Sequence, residues 1–297
     1  LTFDDEVGAL IQWLPLDLWI PACGIRPEEL AGHLGHAGNG REPEPQSYLP
    51  LERAVFRAGE RTVTAFASPR QYAWAVTSMR VLGNAARPAT PRLRAELPQL
   101  LCVVEDEPAG ERPATADSAA VPAGAMLGAL HSLPVMDLPH VAPADVLSDV
   151  ARARTEIVGC APLMGPRLAT LITALVNNPP PPTRLVAAHG AYSVEQLVRG
   201  RDGFALRGLH QAAVMSPAAD LSSYAAAALD GRPGDADRAR RILDDVAYGY
   251  GGRPEGLSWY LATAIIRRAT TPFREQTRDW PARTQALVAA AEEVARS

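Results

Sequence analysis

The 297-residue chain contains no lysine: all 29 of its basic residues are arginine. That absence excludes Schiff-base chemistry, an amine general base and the compact ammonium with which many enzymes hold phosphate. Cysteine is scarce as well. Cys23, Cys102 and Cys160 are odd in number, far apart and without a C-x-x-C pair, which argues against a disulfide framework or a thiolate zinc site and fits a reducing cytoplasm. No uninterrupted apolar run reaches the ~18 residues needed to span a bilayer. The N-terminus also carries acidic residues where a signal peptide carries basic ones, so neither a membrane partner nor export is expected. Charge is close to balance at −4, with no block of one sign, so nucleic acid is not an expected partner either.

What is present is enough apolar material for a substantial core, burying roughly 75% of the unfolded surface at this length. Residues 2–14 carry Val7, Leu10, Ile11 and Leu14 at helical spacing behind acidic residues, and 26–37 open with Pro27 at a first-turn position; both predict helices. The Gly/Pro/Glu-rich stretch 38–47 predicts a loop. Residues 54–57 and 61–66, flanking Ala58-Gly59-Glu60, predict a β-hairpin. Residues 69–82 return to helical spacing through Tyr72, Ala75, Met79 and Leu82. A buried strand is expected at 99–105, a loop or hinge at 107–123, and then mostly helices, over 122–133, 143–158, 163–177, 219–229, 235–248, 255–269 and 281–296. The pattern predicts three parts: a helical N-terminal extension at 1–48, a lobe with β-strands at 49–106 and a helical lobe at 107–297.

The most specific segment is 184–221, RLVAAHGAYSVEQLVRGRDGFALRGLHQAAVMSPAADL. It resembles the catalytic centre of the aminoglycoside phosphotransferase/choline kinase family. The family's H-G-D-x-x-x-x-N/Q loop is matched by His189-Gly190, with Ala191 at the catalytic Asp and Gln196 at the amide. The family's I-D-x-D-R-A-x-x-G-D-P-A-x-D-L pattern falls on 207–221, with Gly208 at the metal-binding Asp and the closing Asp220-Leu221 retained. Leu127 to Pro134, LGALHSLP, is similar to the family's L-x-x-L-H-x-L-P helix end. The resemblance extends over roughly 50–297 and implies a two-lobed protein-kinase-like α+β fold. In it the catalytic loop is degenerate. The arginine-only basic set, with abundant Ala and Pro, also resembles an actinobacterial coding bias.

Phosphoryl transfer requires magnesium bridging the phosphates, a cation on them and a group orienting the acceptor. The resemblance puts Thr64 at the nucleotide-binding Lys, no Glu lies between Arg61 and Arg94 to pair with such a lysine, and Ala191 cannot accept a proton. The expectation is therefore a pseudokinase with no cofactor and no metal site, holding a peptide, a small molecule or a partner enzyme in the former kinase cleft. Kinase-like proteins of this kind occur in routes that modify ribosomally made peptides, such as lanthipeptide pathways. An alternative is chemistry without ATP, such as a thioether-forming peptide cyclase, with His210, Tyr192 and Glu195 as catalytic candidates. A second alternative is an atypical active phosphotransferase in which Asp202, Asp220 or Glu195 takes the metal role.

Candidate binding residues are His189, Arg199, Arg207, Tyr248, Tyr250 and Trp259, with Arg201 on the same basic rim. Each has a structural reading beside the functional one: His189 as a hydrogen-bonded buried residue, Tyr192 as packing, His210 as a solvated surface residue, Trp259 as helix core. Asp220 is expected to brace the loop. His33 and His36 form an H-x-x-H without a further ligand, and Cys102 is expected to be a small buried apolar residue.

Overall fold

The computed structural model describes residues 2–4, 9–11, 20–35, 42–49, 52–83, 88–106, 108–134, 137–201 and 203–296. These form two compact units. The first takes the described residues up to 83 together with 90–106, 108 and 207–210; the second takes 88–89, 109–134, 137–201, 203–206 and 211–296.

The first unit opens with a short antiparallel pair, β1 (Thr2–Asp4) and β2 (Ala9–Ile11), where a helix is expected from the spacing. Helix α1 (Pro27–Leu34) follows, started by Pro27 at a first-turn position. The strands β3 (Glu44–Leu49), β4 (Arg53–Ala58) and β5 (Arg61–Phe66), helix α2 (Pro69–Leu82), then β6 (Leu93–Leu97) and β7 (Cys102–Asp106) complete the unit. The five strands from β3 to β7 form one antiparallel sheet in the order β3-β4-β5-β7-β6.

Alternation along β5 sends Val63 and Ala65 to one face and Thr62, Thr64 and Phe66 to the other. The first face packs on Ile20, Cys23, Leu30 and Leu34, so α1 and the turn before it form its cover. The second packs through Phe66 and Val103 on Ala75, Val76 and Met79 of α2. Where a helical N-terminal extension is expected at 1–48, the described residues of that stretch supply two short strands, most of an edge strand and one covering helix. Strand β3 stands where a loop is expected, because an edge strand with Pro45 and mostly exposed side chains carries no alternating apolar signal.

The second unit contains α3 (Ala116–His131), α4 (Pro143–Cys160), α5 (Gly165–Asn177), the strands β8 (Val186–Ala188), β9 (Leu197–Gly200), β10 (Gly203–Leu206) and β11 (Ala213–Met215), and then α6 (Pro217–Ala227), α7 (Asp235–Tyr250), α8 (Leu257–Arg268), α9 (Thr271–Arg274) and α10 (Trp280–Ala295). β8 pairs with β11 and β9 with β10, both antiparallel. Local chemistry sets the helix starts. Thr115 Oγ1 accepts the Ser118 amide at the head of α3, and Ser216 Oγ accepts the Ala218 amide at the head of α6. α3 and α7 approach backbone to backbone: a Cβ on Gly124 would stand 2.0 Å from the Val246 carbonyl oxygen. Helix α3 begins within the stretch expected to be a loop. No helix among the described residues is long and apolar enough to cross a membrane.

Candidate functional site

The 184–221 segment leaves β8 at His189 and Gly190. Gly190 has φ +81°, and a Cβ there would fall 2.0 Å from the Gln211 carbonyl oxygen, so this close crossing of two backbone strands demands glycine. Asp220, in the first turn of α6, is fully buried and holds the crossing from within. Its Oδ2 accepts the His189 amide at 2.6 Å and faces His131 Nε2 at 3.0 Å; its Oδ1 accepts the Gly190 amide at 2.9 Å. Burial alone pushes this carboxyl up. The His131 hydrogen bond, the charges of His131 and His189 and the His189 amide outweigh burial and hold it below its ordinary range. On its other side His131 Nδ1 meets the Tyr250 hydroxyl at 3.3 Å, extending the chain of contacts to the end of α7.

The neighbouring side chains range from fully buried to exposed. Tyr192 is fully buried, its hydroxyl donates to the Ala123 carbonyl at 3.0 Å, and burial raises its phenol well above the usual range. It is a core residue. His189 is also fully buried, and its Nδ1 accepts the Ala191 amide at 3.4 Å. Trp259 is buried in the helical core and donates to the Leu175 carbonyl at 3.0 Å. Gln196 is half-buried and Glu195 exposed, both in the turn before β9. Arg199 is exposed, with its backbone paired to Glu111, and Tyr248 is 80% exposed. Ala191 and Gly208 are half-buried, Gly208 with φ +69°. Asp202 and His36 lie outside the described residues, and His33 is exposed.

His210 is not a solvated surface residue. It belongs to the first unit, apart from Tyr192 and Glu195 in the second, so the three catalytic candidates are not gathered within one unit. Its Nε2 stands 3.5 Å from Glu105 Oε2, both side chains nearly fully buried, and its ring meets Phe66 edge-on at 5.7 Å. Four buried side-chain atoms described in this unit, His210 Nε2, Glu105 Oε2, Thr64 Oγ1 and Tyr72 Oη, have no hydrogen-bond partner. Thr64 and Glu105 lie on the same face of neighbouring strands. Arg207 is half-buried in the same unit. On the opposite face, Cys102 is buried, and that burial pushes its thiol up to about 12.

The second unit also contains an open cavity of about 450 Å³, lined by the end of α3, the end of α7 and the turn after it, and the starts of β8 and α6. Tyr250 lines it together with His131, Arg184 and Arg253. The two arginines carry no motif, so sequence reading did not single them out. His131 stands in the LGALHSLP segment, which marked a helix end but not its contact with Asp220.

A small antiparallel sheet unit and a helical unit, the latter carrying an H-G turn clasped by a buried Asp, define a protein-kinase-like α+β fold. More particularly, it is the fold of aminoglycoside phosphotransferases and choline kinases. A choline/ethanolamine kinase family protein from Mesorhizobium loti superposes with a TM-score of 0.58 at 15% identity, covering 91% of each chain. A macrolide 2'-phosphotransferase from Brachybacterium faecium gives 0.52 at 18%, over 89% of this chain and 97% of the other. An aminoglycoside phosphotransferase from Streptomyces rimosus gives 0.54 at 19%, over 80% and 95%. By sequence, no family model and no curated protein matches the chain.

Proposed function

We propose that this chain is a kinase-fold protein without phosphotransfer activity, which binds a peptide, a small molecule or a partner enzyme in the former kinase cleft. One observation carries the reading. Asp220, the acid retained from the degenerate segment, is fully buried, and both its oxygens are engaged by the His189 and Gly190 amides and the His131 ring. Using it as a magnesium ligand would strip these donors of their acceptor. Gly208 and Ala191 offer no carboxylate, Thr64 offers no cation, and magnesium favours carboxylate and phosphate oxygens. The residues present therefore do not fit a magnesium–nucleotide complex. We place the protein in the cytoplasm of an actinobacterium, in a pathway that modifies ribosomally made peptides; this rests on the resemblance of the 184–221 segment and on composition.

The test is calorimetric titration with Mg-ATP into the millimolar range, with thermal melting alongside. Silence in both is expected, whereas a ligand at 100 times its dissociation constant would add about 2.7 kcal/mol of stability. Magnesium-dependent binding of ATP would overturn the reading.

A second reading, chemistry without ATP, is favoured by one observation: the unbonded pair His210 Nε2 and Glu105 Oε2, buried 3.5 Å apart. A carboxylate beside an imidazole is an arrangement that orients a general base. In this reading His210 would take a proton from a thiol or hydroxyl, as a peptide cyclase requires, and Glu195 and Tyr192 have no part in it.

A further inference from the structure

The polar lining of the 450 Å³ cavity is one-sided. Arg184, Arg253, His131, Tyr250 and Ser132 contribute to it, and no Asp or Glu does. Arg253 is tethered at the rim by Asp244. Arg184 is exposed and has no carboxylate partner among the described residues, so its guanidinium is the uncommitted charge at the site. It lies within electrostatic reach of Tyr250: burial raises the Tyr250 phenol, and the Arg184 charge opposes that rise. Val186, Pro217 and Pro254 supply an apolar wall beside these donors. A planar fork of N–H donors with a hydroxyl beside it and an apolar wall behind matches a carboxylate on a carbon skeleton.

We propose that this cavity binds a carboxylate-bearing ligand, with Arg184 as the principal anchor, Tyr250 as a second donor and the Val186–Pro217–Pro254 wall against the carbon body. The inference deepens the binding reading above, on which it rests, by naming the chemistry of the ligand. The carboxylate could belong to a free organic acid or to an acidic side chain of a peptide. A bound carboxylate would also draw on the Tyr250 hydroxyl, which is in contact with His131 and through it with Asp220 and the loop backbone.

The experiment is calorimetry on the full chain with four probes: glutarate, a blocked hexapeptide rich in Glu, its Gln counterpart, and inorganic phosphate. At least one carboxylate probe should bind. Arg184→Gln should weaken it by about tenfold or more and Tyr250→Phe by less, while Arg154→Gln, a change at an exposed arginine of α4, should have no effect. Arg184 is exposed, so the melting temperature of its variant should hold. Glutarate binding identifies a small acid as sufficient; binding of the Glu peptide alone identifies a peptide. Equal binding of the Glu and Gln peptides, binding of phosphate alone, indifference to Arg184→Gln, or silence of both carboxylate probes would overturn the proposal. The Mg-ATP titration is independent. Carboxylate binding together with magnesium-dependent ATP binding would overturn only the non-phosphorylating reading, and carboxylate silence with ATP silence would overturn only this one.

Discussion

The Nε2 atom of His131 stands 3.0 Å from Oδ2 of Asp220, although 89 residues separate the two in sequence. The contact ties the end of α3 to the first turn of α6, and the same carboxylate ties both to the backbone at His189 and Gly190. A buried carboxylate without such donors would be costly. With them it becomes the brace of the helical unit, and the retained acid serves architecture.

Removing this brace should be expensive. Asp220→Ala leaves two amides and an imidazole without an acceptor, and a loss of about 3–5 kcal/mol is expected in urea unfolding at pH 7. The pH dependence follows from the depressed carboxyl. Its folded value lies below the ordinary 3.8, so its contribution is complete above that pH and is lost as pH falls through the lower, folded value. Stability measured from pH 5 downward should therefore fall less steeply in Asp220→Asn than in the parent chain. Parallel curves would show that Asp220 contributes nothing to acid sensitivity.

Tyr192→Phe separates packing from chemistry. Loss of the hydroxyl that donates to the Ala123 carbonyl should cost about 1 kcal/mol, measured by denaturant midpoint, with ligand affinity unchanged. A variant of unaltered stability that lost its biological effect would return Tyr192 to the functional residues.

Gly190→Ala tests the loop crossing. The positive φ and the 2.0 Å approach to the Gln211 carbonyl predict a loss of at least ~2 kcal/mol, or roughly 5 °C in melting temperature. Gly159→Ala, near the end of α4 with open space around it, is the control. It should be neutral or stabilising by up to ~1 kcal/mol.

Where periodicity was strong, the elements could be read directly: α2 occupies 69–82 as its spacing predicts, and Gly59 closes the β4–β5 hairpin. Where the deciding signal is long-range, they could not. Strand β3 is an exposed edge set by its partner β4, and β8 and β11 are three residues each, recruited by one another across 24 intervening positions. Helix α3 starts six residues ahead of Pro122, which sits inside it and masks the helical pattern. The site behaves in the same way. Motif resemblance singled out His189 and Asp220, but His210 gave no sign that it would be buried beside Glu105, because that contact joins positions 105 residues apart.

The cysteines should differ sharply in reactivity. Cys23 and Cys102 are buried, and the Cys102 thiol is pushed up to about 12, whereas Cys160 is partly exposed. The thiolate is the reactive form. Iodoacetamide at pH 8 should therefore label one cysteine in the native protein, Cys160, and all three after denaturation, as counted by intact mass.

The pair His210 and Glu105 offers the sharpest choice between scaffold and catalyst. Two buried polar atoms 3.5 Å apart without a hydrogen bond are less stable than an apolar pair of the same volume, and a third orphan, Thr64 Oγ1, lies on the same sheet face as Glu105. His210→Ala alone should destabilise, since it leaves the Glu105 carboxylate buried and unpaired. The double change His210→Leu with Glu105→Met should recover that loss and stand within about 1 kcal/mol of the parent, or above it. A scaffold would keep its effect in the stabilised double variant, because nothing in ligand binding by the helical unit uses these atoms. A catalyst working through the imidazole would stay folded and lose its turnover, and the cost of the unsatisfied pair would then have a chemical reason.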